Sequence, residues 1–256
     1  MADGLTTHIA TFDETSITWR GRDLVNELLG RHGFIEVLYF LVCGRMPTAT
    51  ETRVLDACMV TLMEHGITPH AIVTRLVADC NPNQVQIAMA AGLTCTGDVF
   101  AGTMDACGRI LEAGLSEHDP LAYAQKVVAE HRARRAPMPG FGHNLHKPDD
   151  PRSPRLFAIA REAGVKGDAI ALLETLSTEV DRSYGRHLTI NATGALAALL
   201  LEIGIPVPVM RCLSVTSRAA GLSAHIGEEV ATHSGRRIWQ LVEENFTYAP
   251  VNSGSS

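Results

Sequence analysis

Apolar residues recur at helical spacing through almost the whole chain, and glycines stand where helices should stop. This pattern begins in GRDLVNELLGRHGFIEVLYFLVCG and continues through PVPVMRCLSVTSRAAGLSAHIGEEVATH. The first twenty residues differ, because THIATFDETSITWRG mixes β-branched residues with a polar break. Such a mixture is typical of a short hairpin or an edge ribbon. We therefore predict an all-α fold with a short extended N-terminal segment.

The distribution of charge and proline predicts how the helices are divided between domains. Residues 109–178 contain much charge, a proline-rich run and short helices, and are predicted to form a small helical subdomain. Residues 21–108 and 179–247 are predicted to form a large helical domain. An extended segment at 1–20 and a flexible tail at 248–256 complete the chain. We expect a cleft beside the proline-rich run, where ligands usually bind.

Three segments make specific structural predictions. PNQVQIAMAAGLTCTGDVFAGTMDACGRILEAG is rich in small residues, which let helices approach closely, so we place it centrally in the core. GALAALLLEIGIPVPVM is the most apolar stretch, but Glu202 and two prolines interrupt it, so it is predicted as a buried helix and not as a membrane span. TATETRVLDACMVTLMEHG has Thr48 and Thr50 as candidate N-caps and ends on Gly66, a candidate C-terminal cap.

Composition argues against several classes of protein. The 256 residues suit one large domain, or one domain with a smaller appendage, and 46% hydrophobic with 20% charged residues is ordinary for a globular protein. A formal charge of −6 argues against a general nucleic-acid binder. The six cysteines form no CxxC pair, which indicates reduced core residues in a cytoplasmic protein. No metal site is expected, because no cluster has ligand spacing. The N-terminus lacks the regions of a signal peptide.

The run PMPGFGHNLHKPDDPR offers the parts of a ligand site. Gly140 and Gly142 permit close backbone approach and conformations that are closed to other residues. His143 can act as an acid or a base near neutral pH, and Arg152 can bind a carboxylate or phosphate bidentately. The same run could be a turn that starts a helix, with Asp149 or Asp150 as its cap. The residues alone leave both interpretations open.

Four segments, in order along the chain, resemble the citrate synthases and the citryl-CoA lyase module of ATP-citrate lyase. GFGHNLHKPDDPR resembles the signature G-(F/Y)-G-H-x(6)-D-P-R, with His143 and Arg152 at its spacing. MEHGITP resembles the D-H-G segment, with His65 at the histidine. TGDVFAGTMDA resembles the lyase segment G-D-R-F-G-G-A-L-D-A, with Phe100 where citrate synthases carry a catalytic histidine. SRAAGLSAHIGEE resembles S-R-x-x-G-x-x-x-H, with Arg218 as its arginine.

This resemblance implies an all-α homodimer that closes over oxaloacetate and acetyl-CoA and joins or splits the carbon–carbon bond between them. It implies that His143 polarises the oxaloacetate carbonyl or the citryl hydroxyl, and that His65, Arg152 and Arg218 hold substrate carboxylates. CoA enters as a substrate, and no other cofactor is expected. The expected partners are a small carboxylate and a CoA thioester, with no nucleic acid and no membrane. Further residues implied at the site are, for the substrate, Phe100 and Asn191, and for CoA, Pro139, Gly140, Phe141, Gly142 and Lys147.

One position departs from the family pattern. The family's general base is an aspartate in an N-V-D motif, and in LTINATGALAALLLEIG that position holds Thr193 when the stretch is anchored on Asn191 and Gly204. A threonine hydroxyl is far too weak a base for this chemistry, although it can form hydrogen bonds. Three hypotheses follow. The first is a citryl-CoA lyase or citrate synthase. The second is a relative adapted to another acyl-CoA or oxoacid, with His65, His70 or a substrate carboxylate moving the proton, and the third is an impaired relative that binds a carboxylate or CoA, or that pairs with an active homologue.

Other polar residues have ordinary interpretations. His187 and His225 are interpreted as core or rim histidines satisfied by their neighbours, and Asp105 as a polar group tied to a nearby helix. Arg218 lies in an otherwise apolar helix, and a buried arginine needs an anionic partner. We expect that partner to be a substrate carboxylate.

Overall fold

The computed structural model describes residues 4–97 and 102–250. Their elements are three short strands, one turn of π-helix and eleven α-helices. In chain order they are β1 (Ala10–Phe12), β2 (Ile17–Trp19), β3 (Arg22–Asp23), the π-helical turn (Leu24–Leu28), α1 (Phe34–Cys43), α2 (Ala49–Met63), α3 (Pro69–Cys80), α4 (Val85–Leu93), α5 (Met104–Gly114), α6 (Pro120–Ala133), α7 (Arg152–Glu162), α8 (Asp168–Tyr184), α9 (Ala192–Glu202), α10 (Val207–Thr232) and α11 (Ser234–Asn245). The predicted all-α fold is confirmed.

The N-terminal strands form a small antiparallel sheet in the order β1-β2-β3, with Ala10 opposite Trp19. This confirms the extended N-terminal segment but lengthens it. The helical pattern predicted from residue 21 gives an α-helix only at Phe34. Before it, Asp23 caps the π-helical turn by accepting a hydrogen bond from the Asn26 backbone N–H at 2.7 Å. This cap ends β3 and starts the π-helical turn in place of an α-helix.

The start of α2 carries a reciprocal capping box. The Thr48 backbone N–H donates to Glu51 Oε2 at 2.7 Å, and the Glu51 N–H donates to Thr48 Oγ1 at 3.2 Å. The prediction of Thr48 as N-cap is therefore confirmed. The other candidate, Thr50, donates its hydroxyl to the Ala163 carbonyl at 2.8 Å instead. Gly66 follows the helix end with φ +75°, a conformation that favours glycine.

The chain divides into two compact units. The first contains Met1–Thr61 and Gly102–Leu213, and the second contains Leu62–Ala101 and Ser214–Ser256. The predicted small subdomain at 109–178 lies wholly inside the first unit, because α6 packs on α8, and α8 packs on α9. The compact units therefore divide the chain at other positions than the predicted domains.

Helix α9 is the centre of the first unit. Its residues from Ala195 to Leu199 have no exposed surface, and it packs against α5, α7 and α8. A helix that is apolar on all sides belongs inside a core, as the sequence predicts for this stretch. Gly108 of α5 allows α10 to approach closely, since a Cβ at Gly108 would lie 2.8 Å from Met210 Sδ. In the second unit, α3 packs against α4 and α11.

The described part of the chain also answers two predictions from composition. None of its helices combines the length and apolar character that a bilayer span requires. No disulfide joins its cysteines, in agreement with the prediction. Their placement in the core is only partly right, because Cys58 and Cys107 are buried whereas Cys80 and Cys212 are exposed.

Two glycines of α10 provide a matched test of the packing in the second unit. A Cβ at Gly221 would collide with the Met63 carbonyl oxygen, whereas one at Gly227 meets nothing within 4 Å. We expect Gly221→Ala to lower the free energy of unfolding by about 1–3 kcal/mol through overpacking. Gly227→Ala should raise it by about 0.5–1 kcal/mol, because alanine favours the helix. Urea denaturation measures both, and equal effects would contradict the close approach.

Candidate active site

The loop between α6 and α7 carries His143 and is held against the segment before α9. The Gly142 N–H donates to the Thr189 carbonyl at 2.8 Å, and the Asn191 N–H donates to the Gly140 carbonyl at 3.0 Å. Gly140 and Gly142 have φ values of +87° and +79°, which favour glycine. A Cβ at Gly140 would also lie 2.7 Å from Cys107 Sγ. The two glycines therefore shape the loop, as the sequence predicts.

The loop fixes which nitrogen of His143 carries the proton in the neutral imidazole. His143 Nδ1 lies 3.1 Å from the Leu145 backbone nitrogen and 3.0 Å from that of His146, and both N–H groups donate to it. A nitrogen that accepts two backbone N–H donors holds no proton, so neutral His143 carries its proton on Nε2. The His146 ring stacks on that of His143 with centroids 4.4 Å apart. The arrangement suits a neutral hydrogen-bond donor.

Arg152 is engaged by a residue of its own chain. Its Nε and Nη2 donate to the two carboxylate oxygens of Asp150 at 2.9 and 2.7 Å, and Asp150 is fully buried. Burial raises the pKa of Asp150, but its bonds to Arg152 outweigh this, and the pKa is lowered overall. The family resemblance implies that this arginine holds a substrate carboxylate. In the structure, Nε and Nη2 of its guanidinium bind the Asp150 carboxylate instead. Binding of a substrate by Arg152 stays a prediction.

Thr193 lies in a chain of hydrogen bonds at the N-terminus of α9. Its hydroxyl donates to Asn191 Oδ1 at 2.7 Å, and its oxygen lies 2.9 Å from Thr103 Oγ1. Because the single hydroxyl proton of Thr193 goes to Asn191, Thr103 is the donor in the second contact. Asn191 Nδ2 donates in turn to the Gly142 carbonyl at 2.9 Å. Thr193, which the sequence predicts at the position of the family's aspartate, is thus joined to the His143 loop through neutral groups.

Thr103 is a residue that the sequence analysis missed. It lies ninety positions before Thr193, and the two meet because α5 packs against α9. No local pattern marks such a long-range pair. Asp105 was interpreted as a polar group tied to a nearby helix, and its contacts agree with this. Its carboxylate accepts hydrogen bonds from Arg211 Nη2 at 2.9 Å and from Arg109 Nη1 at 3.2 Å.

The second unit holds His65 and Arg218. The backbone N–H groups of His65 and Gly66 donate to Glu64 Oε1 at 2.8 and 2.5 Å. Glu64 Oε2 lies 3.9 Å from Arg218 Nη1, and the arginine is buried. The buried arginine therefore faces an anion, as the sequence requires, but this anion is a side chain of the protein. A role for Arg218 toward a substrate carboxylate stays a prediction.

Two further histidines were given ordinary interpretations or alternative roles. His70 is fully buried, and its Nε2 lies 3.1 Å from Thr96 Oγ1. Burial, and then the charge of Arg218, lowers the pKa of His70 to about 4, so it is neutral at pH 7. His225 is buried and belongs to a network with Glu64 and Arg75. The sequence does not reveal that network.

The remaining predicted residues are placed as follows. Phe100 lies outside the described residues. The proposed CoA residues Pro139, Gly140, Phe141 and Gly142 form the start of the His143 loop, with Phe141 bridged to Ile190. Lys147 is exposed on the same loop. The first unit thus holds His143, Arg152, Asn191 and Thr193, and the second unit holds His65 and Arg218.

Comparisons with known proteins bear on this arrangement. Residues 47–240 match the family described as citrate synthase, C-terminal domain. The chain belongs to the citrate synthase family. The family resemblance predicted from the four segments is therefore confirmed.

Individual relatives agree with the family. A citrate synthase from Heyndrickxia coagulans is 24% identical over 210 residues, which cover 78% of this chain and 52% of that protein. The chain spans about half the length of such curated relatives. The structure of citryl-CoA lyase from Hydrogenobacter thermophilus is similar with a TM-score of 0.87 at 28% identity, covering 98% of this chain and 97% of that one. An ATP citrate lyase from Methanosaeta concilii, in complex with (3S)-citryl-CoA, shares the fold with a TM-score of 0.79 at 17% identity, over 98% of this chain and 43% of that one.

His187 provides a pH-dependent link to the end of the His143 loop. Its Nδ1 contacts Asp181 Oδ2 at 2.5 Å and its Nε2 contacts Asp149 Oδ1 at 2.9 Å. Only the imidazolium can donate to both carboxylates, and these bonds, first to Asp181 and then to Asp149, raise the pKa of His187. The raised folded pKa means that the link stabilises the protein at low pH and is lost as the pH rises through that pKa.

We therefore expect His187→Gln to lower the free energy of unfolding at about pH 5.5 and to have no effect at about pH 9. The effect should stay below about 1 kcal/mol, because the site is exposed. Urea denaturation at both pH values measures the difference, and His118→Gln serves as an exposed control. A larger loss at high pH would contradict the assignment.

Proposed function

We propose that the chain acts on a CoA thioester and a di- or tricarboxylate, forming or cleaving the carbon–carbon bond between an acetyl-CoA unit and oxaloacetate. The observation that carries the proposal is the fixed Nε2–H tautomer of His143, on a loop whose spacing matches the family signature. Membership of the citrate synthase family supports the same chemistry. The similarity to a citryl-CoA lyase over nearly the full length of both chains favours a lyase-type substrate.

In this proposal His143 acts as a hydrogen-bond donor toward oxygen. In the cleavage direction, the citryl hydroxyl loses its proton to solvent water and the carbon–carbon bond breaks with its electron pair passing to the acetyl-CoA enolate. The enolate then takes up a proton from water, which leaves acetyl-CoA and oxaloacetate as products. His143 Nε2–H then stabilises the charge that develops on the substrate oxygen. A preorganised donor of this kind typically contributes about 10²–10³ in rate. His65, Arg152 and Arg218 are proposed to hold the substrate carboxylates.

The role of Thr193 separates this proposal from its alternatives. Its hydroxyl proton is directed to Asn191, so it supplies a hydrogen bond and no base. An adapted relative would move the proton with another group and act on another acyl-CoA or oxoacid. An impaired relative would bind a carboxylate or CoA without turnover. The similarity to a citryl-CoA lyase over nearly the full length of both chains supports turnover of citryl-CoA over these alternatives.

Variants at position 193 test the reaction. We expect slow cleavage of citryl-CoA by the wild type and an increase of about 10²-fold or more in Thr193→Asp, because a general base contributes about 10²–10⁴. Thr193→Asn, which matches aspartate in size but adds no base, should not gain activity. Acetyl-CoA and oxaloacetate release is followed by coupled assay, and citrate synthesis is measured in the reverse direction.

Each outcome of the assays at position 193 favours one of the three hypotheses. No turnover by the wild type, together with a gain in Thr193→Asp, would exclude citrate chemistry for the native chain. Mass spectrometry of acyl-CoA and oxoacid pairs would then reveal an adapted substrate. Calorimetric binding of oxaloacetate or CoA without any product would favour the impaired relative.

CoA is proposed to enter as a substrate along the start of the His143 loop. The backbone of Pro139 to Gly142 would face the adenine, and the exposed Lys147 would meet a phosphate. We expect Lys147→Ala to raise the KM for the CoA thioester about fivefold, which corresponds to roughly 1 kcal/mol for an exposed ion pair. Lys126→Ala, which removes an exposed lysine of α6, should leave the KM unchanged. Equal KM values in both variants would remove Lys147 from the CoA site.

A homodimer in the cytoplasm is also proposed. The family resemblance implies the dimer, and large exposed apolar side chains at Phe12, Trp239 and Phe246 support an apolar contact with a second copy. The absence of disulfides among the described cysteines supports a reducing compartment. Light scattering of the purified chain measures its mass and tests the dimer, and fractionation of the source cells tests the compartment.

A further inference from the structure

The second unit contains a buried charged network next to its predicted carboxylate-binding residues. Arg75, His225 and Glu229 are only 4%, 8% and 2% exposed. Buried charges are costly unless each one has partners, and such networks hold their members in defined positions. The contacts of each member therefore show which group the network positions.

Arg75 is held from the α10–α11 side. Its Nη1 donates to Ser234 Oγ at 2.8 Å and lies 3.4 Å from Glu229 Oε2, and its Nη2 donates to Glu228. Glu229 also accepts a hydrogen bond from the Gly235 N–H at 2.7 Å. These bonds satisfy both terminal nitrogens of the guanidinium and leave Nε to point elsewhere.

That remaining donor fixes the tautomer of His225. Arg75 Nε donates to His225 Nδ1 at 3.0 Å, and an arginine nitrogen can only donate. Nδ1 of His225 is therefore an acceptor, so the proton of the neutral ring is on Nε2. His225 Nε2 lies 2.9 Å from Glu64 Oε2 and donates to it. The imidazole thus accepts a hydrogen bond from Arg75 at Nδ1 and donates one to Glu64 from Nε2.

Glu64 connects this network to the backbone around His65. Its Oε1 accepts hydrogen bonds from the backbone N–H groups of His65 and Gly66, while its Oε2 accepts a hydrogen bond from His225 Nε2–H. The same Oε2 lies 3.9 Å from Arg218 Nη1. One carboxylate therefore restrains the turn that carries His65 and also faces Arg218. These are the two residues that the sequence assigns to substrate carboxylates in this unit.

We infer that Arg75, His225 and Glu64 form a positioning relay that holds the turn of His65 and the guanidinium of Arg218 ready for a substrate carboxylate. The relay residues act through His65 and Arg218 and are not themselves proposed to touch the substrate. The carboxylate-binding part of the inference rests on the proposed function, whereas the direction of the hydrogen bonds and the restraint of the turn do not.

Two substitutions of the same residue test the relay. His225→Gln keeps an oxygen that can accept from Arg75 and an amide N–H that can donate to Glu64. His225→Leu has similar bulk but removes both bonds. A purely space-filling role of His225 predicts the same behaviour for both variants. The relay predicts that the glutamine variant resembles the wild type and the leucine variant does not.

The first measurement is made without ligand. We expect ¹⁵N NMR of the histidine side chains to show the Nε2–H tautomer for His225. Hydrogen exchange of the His65 and Gly66 amides should be at least about tenfold faster in His225→Leu and nearly unchanged in His225→Gln, with α4 amides as the internal control. An Nδ1–H tautomer, or equal exchange in the two variants, would overturn the relay. If His225→Leu does not fold, Glu64→Asp, which shortens the carboxylate by one methylene, is read by the same exchange.

The second measurement uses oxaloacetate and citrate in calorimetric titrations. The dissociation constant should rise about tenfold in His225→Leu and stay within about twofold of the wild type in His225→Gln, a difference of about 1.4 kcal/mol. Equal weakening in both variants would overturn the positioning role. If the wild type binds neither acid, the proposed function fails, and the tautomer and exchange results still decide the relay.

Discussion

The hydrogen bonds accepted by the buried carboxylate of Asp150 are the interaction on which the candidate site residues of the first unit depend. It accepts hydrogen bonds from the backbone N–H groups at the starts of two helices, Arg152 in α7 and Ala192 in α9, at 3.1 and 3.0 Å. Helix N-termini favour a negative charge, and the Arg152 guanidinium adds a bidentate partner. These partners offset the cost of burying the charge. One carboxylate therefore fixes the end of the His143 loop relative to the helix that carries Thr193.

The loop that carries His143 was predictable from the sequence, whereas the role of Asp150 was not. The loop with Gly140, Gly142 and His143 was predictable because its conformation follows from local residue types and a specific spacing. The partner of Arg152 was not, although Asp150 is only two residues away. The sequence shows an arginine that can bind a carboxylate, but burial of the neighbouring aspartate decides which carboxylate it binds.

The fold shows the same division between local and long-range information. Capping by Thr48 and burial of α9 follow from short patterns, and both predictions hold. The boundaries of the compact units depend on which helices pack together, and composition shifts along the chain do not report this. The contact of Thr103 with Thr193, and the link from Arg75 through His225 to Glu64, join residues far apart in sequence. Only the tertiary structure brings them together.

Under the proposed function, replacement of the family's aspartate by Thr193 and retention of the His143 loop affect the reaction rate by different amounts. A missing general base removes about 10²–10⁴ in rate, or roughly 3–5 kcal/mol. Under the proposed function, a fixed Nε2–H donor at His143 would still supply about 10²–10³ in rate, and bound carboxylates would add the advantage of proximity. A chain that works in this proposed way would retain a substantial share of the transition-state stabilisation while lacking one proton acceptor. We therefore expect a slow enzyme and not an inert one. The hydroxyl of Thr193 still bonds to Asn191, and Asn191 holds the loop that carries His143.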